Sequence, residues 1–123
     1  MIIPTFRYDD AKGAIEFLET AFGFERKAVM ETDDGRIAHA ELTHGPGMVM
    51  VGSRGLGDPQ FENGHASTYV VVDDPDALHD RARAAGAEIT RELQDMDYGS
   101  REFSARDTEG NVWSFGTYDP FAA

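Results

Sequence analysis

A chain of 123 residues, 41% hydrophobic and 28% charged, suits one folded domain with a single core rather than a tail or linker. Its net charge of -12, from 23 acidic against 11 basic residues, disfavours nucleic acid, whose phosphates need clustered Lys and Arg. There is no cysteine for disulfides, thiolate metal sites or Cys nucleophiles. The longest apolar runs fall far short of a membrane span. Met1-Ile2-Ile3-Pro4 lacks the basic-then-apolar pattern of an export signal, so a cytoplasmic location is expected.

In chain order, residues 2–8 read as a strand. Asp9-Asp10 then opens a helix with acidic residues at its favourable end. Ile15, Leu18 and Phe22 recur at helical spacing, and Gly23 suits the residue just past the helix, where positive φ is common. Strands follow at 25–32, 36–44 and 48–53, divided by Asp33-Asp34-Gly35 and Gly45-Pro46-Gly47. Residues 54–64, with Gly55, Gly57, Pro59 and Gly64, read as a connecting loop. The order then repeats: a strand at 65–72, a helix at 75–85 with Pro75 suited to its first position, and strands at 88–93, 100–106 and 111–118.

The two halves superpose in sequence. Asp10 falls on Asp73, Gly23 on Gly86 and Glu25 on Glu88 at an offset of 63, while Gly35 falls on Gly99 and Met48 on Val112 at 64. The chain therefore reads as modules of about 1–53 and 65–118 in βαβββ-βαβββ order. This is an α+β pattern with helices packed on one side of mostly antiparallel strands. A ferredoxin-like pair of repeats is the alternative architecture.

The ending Arg106-Asp107-Thr108-Glu109-Gly110-Asn111-Val112-Trp113-Ser114-Phe115-Gly116 joins turn chemistry to a strand of alternating apolar residues. With the repeated helix-Gly-strand units it resembles the vicinal oxygen chelate superfamily, which includes glyoxalases, bleomycin-resistance proteins and extradiol dioxygenases. The resemblance covers nearly the whole chain and implies one domain. Its eight strands would form an open barrel-like cup with helices on the convex side. It also implies a homodimer, because many members complete their cups from a second module or chain, and the Gly-containing loop at 54–64 would permit module exchange.

Metalloenzymes of that family place ligands on the first and fourth strands of each module. The matching positions here are Ile3, Met50, Ser67 and Ser114, the last standing where a metal-binding Glu is usual. Divalent metals need imidazole or carboxylate ligands there, so no metal and no other cofactor is expected.

Strand alternation places Val112, Ser114, Gly116 and Tyr118 on the cup face, with Trp113 and Phe115 against the helices. The resemblance adds Tyr98, Ser100, Glu102 and Ser104 to that face, with Phe103 in the core, and places Thr5, Arg7, Tyr69 and Val71 along the first strands of the modules. The candidate ligand-binding set is Arg7, His65, Tyr69, Tyr98, Glu102, Ser114 and Tyr118, suited to stacking, hydrogen bonding and a positive group on Glu102. Simpler roles stand beside these: Glu102 paired with Arg101 or Arg106, Tyr98 capping a turn, and His65 as an exposed strand-end residue. The repeat equivalence of His39 to Phe103 points His39 to the helix side, while His44 and His79 read as surface residues. The implied function is binding of a small molecule in a metal-free cup, and the acidic balance is compatible with a cationic one. The alternative is a lyase, isomerase or dioxygenase with a displaced metal, or with Glu102 or His65 as general base.

Overall fold

In the computed structural model, which describes residues 1–62 and 64–122, the chain divides into two compact units, Met1–Gly64 and His65–Ala123. The first contains β1 (Thr5–Tyr8), α1 (Ala11–Phe22), β2 (Glu25–Glu31), β3 (Ile37–His44) and β4 (Gly47–Ser53). Asp10 caps α1 by accepting a bond from the Gly13 amide at 3.0 Å, and Gly23 stops it in the left-handed conformation with φ 80. The sheet order is β1-β4-β3-β2, with β1 parallel to β4 and the other pairs antiparallel. The register aligns Phe6, Val51 and Ala40 across three strands. All three are buried, as are Ala14, Ile15, Leu18 and Phe22 of α1, so the module closes its core on one sheet face.

The second unit repeats this plan with β5 (Ser67–Val71), α2 (Pro75–Ala84), β6 (Glu88–Asp95), β7 (Arg101–Arg106) and β8 (Val112–Gly116) in the order β5-β8-β7-β6. The architecture is α+β, with two helices and two four-stranded mixed sheets. Pairing of Thr5 with Met50 in one unit becomes pairing of Tyr69 with Ser114 in the other. Both residues have moved by the sequence offset of 64, so the duplication holds at the level of register.

Several boundaries differ from the sequence reading. The first strand begins at Thr5, because Pro4 has no amide to donate and contributes only its carbonyl, to the Met50 amide at 3.0 Å. Strand β6 runs on to Asp95, which pairs with Arg101. The connecting loop contains a 3-10 turn, Pro59–Phe61, and is held by Glu62, which accepts from the Gly55 amide at 2.6 Å and lies beside Arg54.

The turn from β7 to β8 is built around Asp107, which is 7% exposed. One carboxylate oxygen accepts from the amides of Glu109 and Asn111 at 3.0 and 3.1 Å; the other accepts from Asn111 Nδ2 at 3.1 Å and Trp113 Nε1 at 3.0 Å. Trp113 and Phe115 are fully buried, and Phe115 stacks on Phe103 at 5.2 Å. Phe103 in turn meets the His79 ring of α2 edge-on at 5.3 Å.

His79 is therefore not a surface residue. With Pro75 and Ala82 it forms the buried stripe of α2, and its Nε2 lies 2.8 Å from Glu92 Oε1. His44 is half-buried, with Nε2 2.9 Å from the Phe22 carbonyl and its ring edge-on to Phe24. His39 takes the face opposite the helix, contrary to its repeat equivalence. Ala40 pairs with Val51 as Phe103 pairs with Phe115, so the offset on β3 is 63, and His39 alternates with buried Ala40 and Leu42 while bonding Glu41 at 3.1 Å.

Trp113→Ala is expected to cost about 3–5 kcal/mol of stability in urea unfolding. Asp107→Ala should cost on the order of 2–3 kcal/mol by leaving the indole N–H and Asn111 without their acceptor. A loss within experimental error for either variant would show that this turn does not organise the unit.

Candidate functional site

On the second sheet, the face opposite Trp113 and Phe115 carries Tyr69 from β5, Ser114 and Gly116 from β8, and Glu102 and Ser104 from β7. The register sets Glu102 against Gly116 and Ser104 against Ser114. Glycine at 116 is required by close approach: an added Cβ would stand 2.5 Å from Glu102 Cγ and nearer still to Tyr69 Oη. The missing side chain lets the tyrosine and the carboxylate meet across β8.

Glu102 is only 2% exposed, which for a lone carboxylate would be strongly unfavourable. Its Oε2 accepts from Tyr69 Oη at 2.9 Å, and its Oε1 from Tyr98 Oη at 2.9 Å and Arg91 Nη2 at 3.0 Å. Burial alone raises the Glu102 pKa. Hydrogen bonds from Ser100, Tyr98 and Tyr69, together with the Arg91 charge, outweigh burial and leave the pKa below the ordinary carboxylate value. The Tyr69 hydroxyl is held protonated chiefly by burial, and the Tyr98 hydroxyl chiefly by its bond to Glu102. Ser100 Oγ and Tyr69 Oη both lie within reach of the Tyr118 amide, at 3.1 and 3.2 Å. The C-terminal segment is thereby tied to the same cluster.

Above this carboxylate lies an open pocket of about 570 Å³, lined by Tyr69, Tyr98, Glu102, Tyr118 and Pro120. Tyr98 and Tyr118 stand edge-to-face, 5.8 Å apart at 79°. Four of the seven candidate residues thus meet in one place. Ser114 lies on the same face one row away, hydrogen-bonded to Ser104 at 2.8 Å. His65 is exposed over the Gly110 turn, four strand positions from Tyr69 and so roughly 13 Å along the sheet. Arg7 belongs to the first unit, where its guanidinium lies against Gly52.

Two expectations about Glu102 change. Its ion-pair partner is Arg91, whereas Arg101 binds Asp76 and Asp95 and Arg106 binds Glu88. Arg101 is on the wrong face by alternation, and Arg106 is four residues along the strand. Arg91 escapes a parity argument because β6 is irregular between Ile89 and Arg91: Ile89 pairs with buried Ala105, yet Arg91 pairs with Ser104 on the opposite face.

The four positions that the resemblance marks for a metal do not fit a divalent ion. Ser114 is engaged with Ser104, Ser67 offers a hydroxyl, Met50 a thioether and Ile3 no donor atom. Among the described residues no group of three or more His, Asp or Glu side chains could hold an ion.

This fold and its tyrosine-lined carboxylate pocket sit in a chain whose residues 4–115 match the family model for the Glyoxalase/Bleomycin resistance protein/Dioxygenase superfamily. The chain belongs to that superfamily. Its relatives include TioX from Micromonospora sp. ML1, a solved structure 31% identical with TM-score 0.83, the alignment covering 100% of this chain and 99% of that one. The uncharacterized protein Rv0887c of Mycobacterium tuberculosis is 29% identical over 121 residues, spanning 92% of this chain and 71% of the relative. Lactoylglutathione lyase from Agrobacterium tumefaciens, 20% identical with TM-score 0.71 over 94% of this chain and 92% of that one, shares the fold.

Because the Glu102 pKa is lowered on folding, its stabilising contribution is present above the unfolded value of about 4.3 and is lost as pH falls through the lower folded value. Glu102→Gln should flatten that acid limb of the stability profile. Gly116→Ala should displace Tyr69 from Glu102, seen as a changed tyrosine signal in near-UV circular dichroism; an unchanged spectrum would contradict the close approach.

Proposed function

We propose that the protein binds a small molecule in the pocket of its second unit and acts by holding it, as the bleomycin-resistance part of the superfamily name suggests. The observation that carries this reading is the buried Glu102 carboxylate, roofed by tyrosines at a pocket whose volume lies in the range of drug-sized sites. The binding set is Tyr69, Tyr98, Glu102 and Tyr118, with Ser114 and Arg7 as further candidates on their own sheets and His65 least favoured. Glu102 is poorly suited to general-base chemistry: its oxygens already accept from Tyr69, Tyr98 and Arg91, and its lowered pKa makes it a weak base at neutral pH. The enzymatic alternative therefore needs another group.

The net charge of -12 supports a partner that is not a polyanion. No helix among the described residues is long and apolar enough to cross a membrane; a cytoplasmic location is a separate proposal. We further propose a homodimer, supported by the family resemblance; sedimentation as a monomer at high micromolar concentration would refute that assembly.

The test is a thermal-shift screen against aromatic and cationic antibiotics and divalent cations, since a molecule that binds only the folded state raises Tm. A hit from the first group is expected, weakened by about 1 kcal/mol in Tyr98→Ala through loss of a stacking surface. Purified protein should carry no stoichiometric transition metal, and Ser67→His with Ser114→Glu should raise metal affinity. A native metal whose removal abolishes binding, or a hit indifferent to Tyr98→Ala and Glu102→Gln, would sink the reading.

A further inference from the structure

Resting on that reading of the pocket, the geometry points to its chemical preference: we propose that Tyr69, Tyr98 and Tyr118 form an aromatic cage for a quaternary ammonium group carried by the ligand. The argument starts from hydrogen-bond capacity. A carboxylate offers about four acceptor positions, and both oxygens of Glu102 are engaged, by Tyr69 on one and by Tyr98 and Arg91 on the other. The hydroxyl protons of Tyr69 and Tyr98 point at Glu102, so neither remains to donate to a ligand. Tyr69 Oη also accepts the Tyr118 amide. A primary ammonium would bring three N–H donors to a pocket whose carboxylate is already engaged on both oxygens, and would lose hydration without fully replacing it. A permethylated ammonium has no N–H to satisfy.

What the pocket does offer is ring surface. Tyr98 and Tyr118 are nearly perpendicular at 79° with centroids 5.8 Å apart, so a group in their angle meets one ring face while the other ring closes its side. Cations are drawn to such faces within about 6 Å of the ring centroid. Donation of two phenolic protons to an ionised carboxylate increases electron density on the phenols, and Arg91 balances the carboxylate from β6 below. Attraction thus comes from polarised rings, which suits a weakly hydrated cation. The pocket of about 570 Å³ exceeds a single headgroup, so the ammonium is one end of a larger molecule.

Nuclear magnetic resonance titration of the tyrosine ring signals with choline, its neutral isostere 3,3-dimethylbutan-1-ol, and ethanolamine tests this. Choline is expected to bind about tenfold more tightly than the neutral alcohol, with ethanolamine weaker than choline. Tyr118→Leu, a change at a half-exposed position, should reduce choline affinity several-fold while changing alcohol affinity by less than about twofold. Equal binding of choline and the alcohol at the tyrosines would overturn the cage and leave the pocket standing. Tighter binding of ethanolamine would overturn it by showing that Glu102 is available to N–H donors. No shift of tyrosine signals with any of the three would also overturn the cage, whereas the pocket itself stands or falls on the antibiotic screen.

Discussion

The buried carboxylate of Glu102 sets the terms for everything around it in the second unit. A charge at that depth persists only if it is paired and fully hydrogen-bonded, and its donors come from separate segments: Tyr69 on β5, Arg91 on β6, Tyr98 in the turn after β6, and Ser100 before β7. Each is placed by satisfying the same group. Tyr69 can reach it only because Gly116 leaves β8 without a side chain at the crossing. The pocket wall is therefore a by-product of charge satisfaction, which is why tyrosines that are half exposed still have fixed hydroxyl positions.

The opposite face of the same sheet obeys a different logic. Trp113, Phe115 and Phe103 are fully buried, and the only polar atom that Trp113 brings is answered by Asp107 at 3.0 Å. Asp107 also organises the tight turn into β8. One residue thus fixes the entry of β8 and the orientation of its largest core side chain, and strand alternation carries that orientation to Ser114 and Gly116 on the pocket side. Stability and site geometry are linked through a pleat two residues long.

The parts legible in the sequence were those governed by regular periods. The βαβββ repeat, the helix stops and the burial of Trp113 and Phe115 follow from alternation, helical spacing and turn residues, while the core position of Phe103 and the common face of Tyr69, Glu102 and Ser114 came from the family resemblance. The parts that were not legible are those where an irregularity breaks the period. Arg91 shifts face because β6 is irregular beside it, and His39 departs from its assigned equivalence because the repeat offset is 63 on β3 but 64 on β4. His79 is a different case. Its spacing with Pro75 and Ala82 marks a buried helical stripe, but the composition of α2 is so polar that the stripe is narrow, and the imidazole is accommodated by Glu92 and Phe103.

The duplicated scaffold also explains why the chemistry concentrates in one module. Under the offset of 64, Gly116 corresponds to Gly52, so both modules keep the vacancy on the last strand, and in the first it is Arg7 that lies against it. Yet Tyr69 corresponds to Thr5 and Tyr98 to Asp34, and because Ala40 pairs with Val51 as Phe103 pairs with Phe115, the counterpart of Glu102 is His39. With His39 in place of a buried carboxylate there is no such charge for neighbouring hydroxyls to satisfy, and without tyrosines there is no ring surface. The same backbone that builds a polarised aromatic pocket in one half leaves Arg7, Met50 and the His39–Glu41 pair on the matching face of the other. Divergence after duplication has acted through side chains at fixed register, so the function of each module has to be read from its own residues rather than from the fold they share.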